Sequence, residues 1–195
     1  MSRALGPGLG ALALAWLTLW RDGGRSFAVH MAAHMVVVAV AAPLLALGLS
    51  GGRLDVTRRA PAWFGPVAAS LVEFAAVWAW HAPALHRAAR HTAGGAVAEQ
   101  ACFLGAGLLV WLSALAPARR AEGVVALLLT SMHMTLLGAL LALSPRALYP
   151  GCGGPAALGD QHLGGAFMIV AGGASYLAGG VALTGRLLRR GGVRA

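Results

Sequence analysis

The chain has 195 residues, 58% of them hydrophobic and only 11% charged, with a mean hydropathy of +0.73. A soluble domain carries about 25% charged residues, so this composition excludes the ordinary globular class and leaves no length for a separate soluble domain. The formal net charge of +9 rests on 15 basic residues, all Arg; they stand singly or in pairs between apolar runs, which marks membrane topology and not a nucleic-acid surface.

A membrane-crossing helix needs roughly 20 apolar residues. The runs predict an all-α, polytopic bundle of about six such helices, one integral membrane domain over residues 1–195. The first expected span is Ala4–Trp20. Arg3 and the Ala11-x-Ala13 pattern resemble a signal peptide, but the apolar run continues through Trp16 and Trp20 without a polar cleavage region, so an uncleaved helix is expected. The second, Phe27–Leu49, opens with His30-Met31-Ala32-Ala33-His34-Met35. The third, Ala62–His81, carries Glu73 near its middle and ends on His81, with His86 and His91 in the joint that follows. Glu99 and Cys102 lie near the start of the fourth, Ala96–Ala116. Met132-His133-Met134 sits inside the fifth, Val124–Leu143. The sixth, Leu163–Leu183, is preceded by Asp160-Gln161-His162 and followed by an Arg-rich tail. Gly and Pro mark most of the joints, as helix breakers should.

Orientation follows from the Arg positions. With six spans, one side holds Arg3, Arg53, Arg58, Arg59, Arg119, Arg120, Arg186, Arg189, Arg190 and Arg194, and the other only Arg21, Arg25, Arg87, Arg90 and Arg146. The positive-inside rule then predicts both termini in the cytoplasm. His30, His34, His81, His86, His91 and His162 consequently gather toward the outer face, with only His133 deeper.

Three features carry chemistry. His30 and His34 stand at i and i+4 on one helical face, roughly 5–6 Å apart at Cβ, close enough to share a metal ion. Met31 and Met35 repeat that spacing beside them; imidazole suits copper, zinc and iron, and thioether selects Cu(I). The plainer alternative is that Met packs and the His hydrogen-bond at the interface. Glu73 and Glu99 are acids inside apolar helices, and a carboxylate there costs at least about 2.5 kcal/mol, which makes each a functional candidate. Glu73 and His133 share a depth and are candidates for a buried pair. Asp160 suits an N-cap of the sixth helix, with a metal-ligand role as the alternative. Cys102 and Cys152 both lie toward the outer side, where a disulfide is compatible, but in no metal-binding spacing. No phosphate-binding loop or nucleophile elbow is present, and no enzyme activity is expected.

The ordered set of motifs resembles the CtaG-type cytochrome c oxidase assembly factors, polytopic proteins of bacterial plasma membranes. The matches are His30-Met31-x-x-His34-Met35, Ala41-Ala42-Pro43-Leu44-Leu45, Trp80-His81-Ala82-Pro83, Leu136-Leu137-Gly138-Ala139, Leu148-Tyr149-Pro150 and Asp160-Gln161-His162-Leu163-Gly164-Gly165 with Met168. They cover residues 27–176. Gln100 and His162 depart from the family pattern, in which His and Gln respectively are common. The resemblance implies help in building a haem-copper oxidase, with copper bound or delivered at the outer face and oxidase subunits as partners. It implies roles for His30, His34, His81, Asp160 and Gln161; Met31 and Met35 join the candidate metal ligands, and Glu73, Glu99 and His133 the other functional candidates, from the spacing and burial argued above. A homo-oligomer in the bilayer is compatible with it. The alternatives are a metal-free scaffold for an oxidase subunit, a b-type haem carrier with facing His ligands, and a small transporter using Glu73 and His133 as a proton relay.

Overall fold

The computed structural model describes residues 3–59 and 65–191, and within them every regular element is helical. Helix α1 is Leu5–Asp22, closed by Gly23 in the left-handed region (φ 58°), whose N–H bonds the Leu19 carbonyl. Helix α2 is the continuous rod Phe27–Leu49, begun by Ser26, whose hydroxyl accepts from the Val29 N–H. Then come α3, Pro66–His81, α4, Pro83–His91, and α5, Ala93–Leu115. Helix α6 is Arg120–Ala142, and α7 runs over 157–191. Pro66 and Pro83 each occupy a first turn, where a missing N–H costs nothing, and Thr92 caps α5 through the Gly95 N–H.

Among the described residues, four rods are long and apolar enough to cross a membrane: Phe27–Leu49, Ala93–Leu115, Pro117–Ala142 and Gly154–Arg189. The expected first and third spans, α1 and α3, are not among them. Helix α3 has 16 residues, about 24 Å at the usual rise, against a hydrocarbon core of roughly 30 Å; residues 62–64 of its expected span lie outside the described residues. Helix α1 includes Gly6, Pro7, Gly8 and Gly10 and ends on Arg21-Asp22, which shortens its apolar stretch. The chain is nonetheless a helical membrane protein by its distribution of polarity. Outward positions are apolar, with Leu14, Trp20, Val97, Met132 and Val170 exposed, while Glu73, His34 and Gln161 are buried. Arg194 of the expected inner set lies outside the described residues.

Helix α2 is central, packing on α1, α5 and α7, while α6 holds α3, α5 and α7. Two π segments interrupt the rods, Val36–Ala41 in α2 and Met168–Gly173 in α7. The first has a local cause and a tertiary consequence. Pro43 has no N–H to return to the preceding turn, and the Ala42 N–H reaches back to Val37. The carbonyls of Val38 and Ala39 are thereby free for other helices. Trp111 Nε1 donates to Val38 O (3.2 Å), Tyr176 OH lies 3.3 Å from the same oxygen, and Ser175 Oγ donates to Ala39 O (2.7 Å).

Gly164 and Gly165 let α7 lie against two helices at once. A Cβ on Gly164 would meet the Phe27 ring of α2 at 2.6 Å, and one on Gly165 would meet Gly138 O and Ala142 N of α6 at 2.6 Å. The second clash is with backbone, which cannot yield by changing a rotamer. Gly165→Ala is therefore expected to cost about 1–3 kcal/mol through overpacking, read as a lower unfolding temperature in detergent.

Candidate metal centre

The first turns of α2, the end of α3, the short α4 and the start of α5 converge at one end of the bundle. His30 Nε2 lies 3.2 Å from Glu99 Oε1 and His34 Nε2 lies 3.6 Å from Glu99 Oε2. The two imidazole Nε2 atoms are 2.8 Å apart. All three residues are buried. The i, i+4 spacing aligns the two rings on α2, and α5 presents the carboxylate.

Arginine can only donate hydrogen bonds, so its contact fixes a proton. Arg90 Nη1 lies 2.7 Å from His30 Nδ1, so Nδ1 accepts and a neutral His30 carries its proton on Nε2. That Nε2–H faces Glu99 and His34, and the short contact makes His34 Nε2 an acceptor. The His34 proton then falls on Nδ1, a buried atom without a hydrogen-bond partner among the described residues. Arg90 also stands 3.8 Å from Asp22 of α1. A cleft of about 670 Å³ between α1 and α5 reaches this centre, with Trp16, Trp20, Val97 and Leu104 on its apolar walls and His30, Arg90 and Glu99 at its polar end.

His81 and Met31 form a second arrangement. The Val77 carbonyl can only accept, so His81 Nδ1 donates to it at 2.6 Å. The unprotonated His81 Nε2 then faces Met31 Sδ at 3.2 Å, two lone-pair donors with no hydrogen between them. A metal-binding histidine commonly gives its other N–H to a backbone carbonyl in this way. Phe103 lies between the groups, its ring centroid 4.2 Å from His34 and 6.1 Å from His81.

His86, on α4, completes the cluster on the side of the α6–α7 loop. Ligand-capable atoms of His30, His86 and Glu99 all lie within 4.8 Å of one another, and His86 Nε2 is 3.9 Å from Cys152 Sγ. Burial lowers the His86 pKa to about 4, leaving its ring neutral at physiological pH, and burial pushes the Cys152 thiol up. Tyr149 roofs this region, stacked on Phe27 at 4.5 Å and donating to the His81 carbonyl at 2.5 Å.

Several expected site residues have other positions. Asp160 lies in the first turn of α7, yet it caps α2: its oxygens accept from Ser26 Oγ (2.8 Å), Phe27 N (2.5 Å) and Ala28 N (3.3 Å). The close approach of α7 at Gly164 puts that carboxylate at the positive end of the neighbouring helix, so it accepts from one hydroxyl and two backbone N–H groups at the start of α2. Asp160→Ala is expected to cost about 2 kcal/mol, the upper range for a lost cap, seen as a depressed melting temperature. Gln161 and His162 pin the loop between α6 and α7, Gln161 Oε1 accepting from Leu148 N (2.6 Å) and His162 Nε2 donating to Ser144 O (2.9 Å). Met35 packs against α7 near Gly172. Glu73 does not meet His133; its Oε1 accepts from Tyr176 OH at 2.5 Å. The His133 ring sits edge-on to Phe74 at 5.4 Å, and neither of its nitrogens has a hydrogen-bond partner among the described residues. The cysteines are unpaired, Cys102 exposed and Cys152 buried, and His91 is exposed. The sequence reading missed α4, which it placed in a joint, and with it the approach of His86 and Arg90; Pro83 at a helix start and the spacing of Leu85, His86 and Ala89 were the available signals.

Comparison with known proteins gives one result. A family model described as cytochrome c oxidase caa3 assembly factor (Caa3_CtaG) matches residues 5–190. No curated protein and no solved structure matches.

Proposed function

The chain belongs to the cytochrome c oxidase caa3 assembly factor family, and from that premise we propose that it works by holding copper as cargo for the oxidase, without catalysing a reaction. The observation that carries this reading is the convergence of His30, His34 and Glu99 on one point, their facing atoms 2.8–3.6 Å apart. Two nitrogens about 2.0–2.1 Å from a tetrahedral metal stand roughly 3.3 Å apart, so the imidazoles need to part by about half an ångström to share an ion. The metal replaces the Nε2 proton of His30, which requires Arg90 to release Nδ1. His81 and Met31, with their facing lone pairs, supply the softer donors that favour Cu(I). The buried carboxylate offsets the ion's charge.

In this reading all six helices of 16 residues or more cross the bilayer, α1 and α3 by thinning it locally or packing short against their neighbours. The Arg distribution then places both termini in the cytoplasm and the copper centre on the outer side of a bacterial plasma membrane, where oxidase subunits are its partners. The test is metal and optical analysis of the detergent-purified protein. The expected result is copper bound to the chain and no haem band. Absence of copper together with normal oxidase copper in a strain lacking the protein would overturn the reading in favour of a metal-free scaffold.

A further inference from the structure

The outer loop between α6 and α7 brings a thiol to the edge of the histidine cluster. The Cys152 N–H bonds the Tyr149 carbonyl at 3.0 Å, and the next residue's N–H, Gly153, bonds the Arg25 carbonyl at 2.7 Å, so the thiol is held in a fixed turn. Its Sγ lies 3.9 Å from His86 Nε2. A metal–sulfur bond of about 2.3 Å and a metal–nitrogen bond of about 2.0 Å together exceed that separation, so one ion can touch both atoms without either backbone moving. Behind the pair, the His86 ring centroid is 5.2 Å from that of His30, and His30, His86 and Glu99 hold ligand-capable atoms within 4.8 Å of one another. Ligands therefore run in short steps from the outer loop to the buried centre. Cys152 and His86 are themselves buried, and Cys152 directly follows exposed Pro150 and Gly151 in the chain.

We propose that Cys152 and His86 form a second, outer metal-binding pair that receives Cu(I) and passes it by ligand exchange to His30, His34 and Glu99. This inference rests on the copper reading of the buried centre. The soft thiolate selects Cu(I), and imidazole is the ligand common to both ends, so His86 is the hand-over residue. Copper stays Cu(I) throughout. The S–H proton leaves to water as the Cu–S bond forms and returns from water when that bond breaks on hand-over, while at His30 the proton moves from Nε2 to Nδ1 as Nε2 takes the metal and Arg90 withdraws.

The experiment uses full-length, detergent-purified protein carrying Cys102→Ser, which leaves Cys152 as the single thiol, loaded anaerobically with Cu(I). Bound copper is counted and its sulfur neighbours are read by X-ray absorption. Cys152→Ser is expected to remove one copper per chain, and His86→Gln to do the same if the Ser variant folds poorly. In His30→Asn/His34→Asn that one copper is expected to remain, with a sulfur neighbour. A Cys152→Ser protein that binds as much copper as its parent, with the same sulfur shell, overturns the outer pair and leaves the buried centre standing. Absence of copper from the parent overturns the copper reading itself.

Discussion

Replacing His30 and His34 together with Asn is expected to leave the protein at its normal level in the membrane while the oxidase loses its copper. The choice of Asn follows from the geometry. Glu99 is buried and faces both imidazoles, at 3.2 and 3.6 Å. Truncation to Ala would strand that carboxylate without a donor, and an unsatisfied buried acceptor costs about 1–3 kcal/mol and more when it is charged, enough to confuse lost copper with lost protein. Asn keeps an N–H donor for the carboxylate and is a poor ligand for Cu(I). Loss of an outer-shell partner alone lowers metal affinity about 10–100-fold, so loss of two of the three converging donors is expected to exceed that range. The measurement pairs an immunoblot of this protein with metal content and activity of the oxidase. Normal copper in the oxidase of the double variant would sink the copper reading, and the histidines would then belong to an interface with an oxidase subunit.

How much of this site is legible in the sequence depends on how local each contact is. The His30–His34 pair follows from helical periodicity alone and is found as expected on one face of α2. The expectation that Glu99 is functional follows from the cost of a carboxylate in an apolar helix. Its partners do not, because they depend on how α5 is set against α2, which is fixed by packing such as Gly107 against Ala42 and Val38. Asp160 shows the same limit. Its type and position suit a cap, but the helix it caps is 132–134 residues away in sequence and is chosen by the absent side chain of Gly164. Glu73 and His133 share a depth without sharing a face, so depth alone misassigned the pair. Helix α4 is the largest omission: nine residues fall below the length at which periodicity separates a helix from a loop.

Arg90→Gln is expected to tighten copper binding, by roughly tenfold or more. In the metal-free protein the guanidinium donates to His30 Nδ1 at 2.7 Å and so keeps the imidazole proton on Nε2, the atom a metal needs. Binding through Nε2 requires Nδ1 to take up the proton, and Arg90 must leave first. A hydrogen bond to a charged group contributes about 1.5–3 kcal/mol, and each 1.4 kcal/mol is about a factor of ten in affinity, so this contact alone opposes binding by roughly 10–100-fold. Gln carries an amide oxygen that can accept from Nδ1–H and so supports the metal-binding tautomer. Asp22, 3.8 Å from the guanidinium, is the site to which Arg90 withdraws. Asp22→Asn removes that refuge and is expected to weaken copper binding, the opposite sign from Arg90→Gln. A chelator competition on the purified variants reads both signs. If the two substitutions move affinity in the same direction, Arg90 acts on the fold of the cleft and not on the proton of His30.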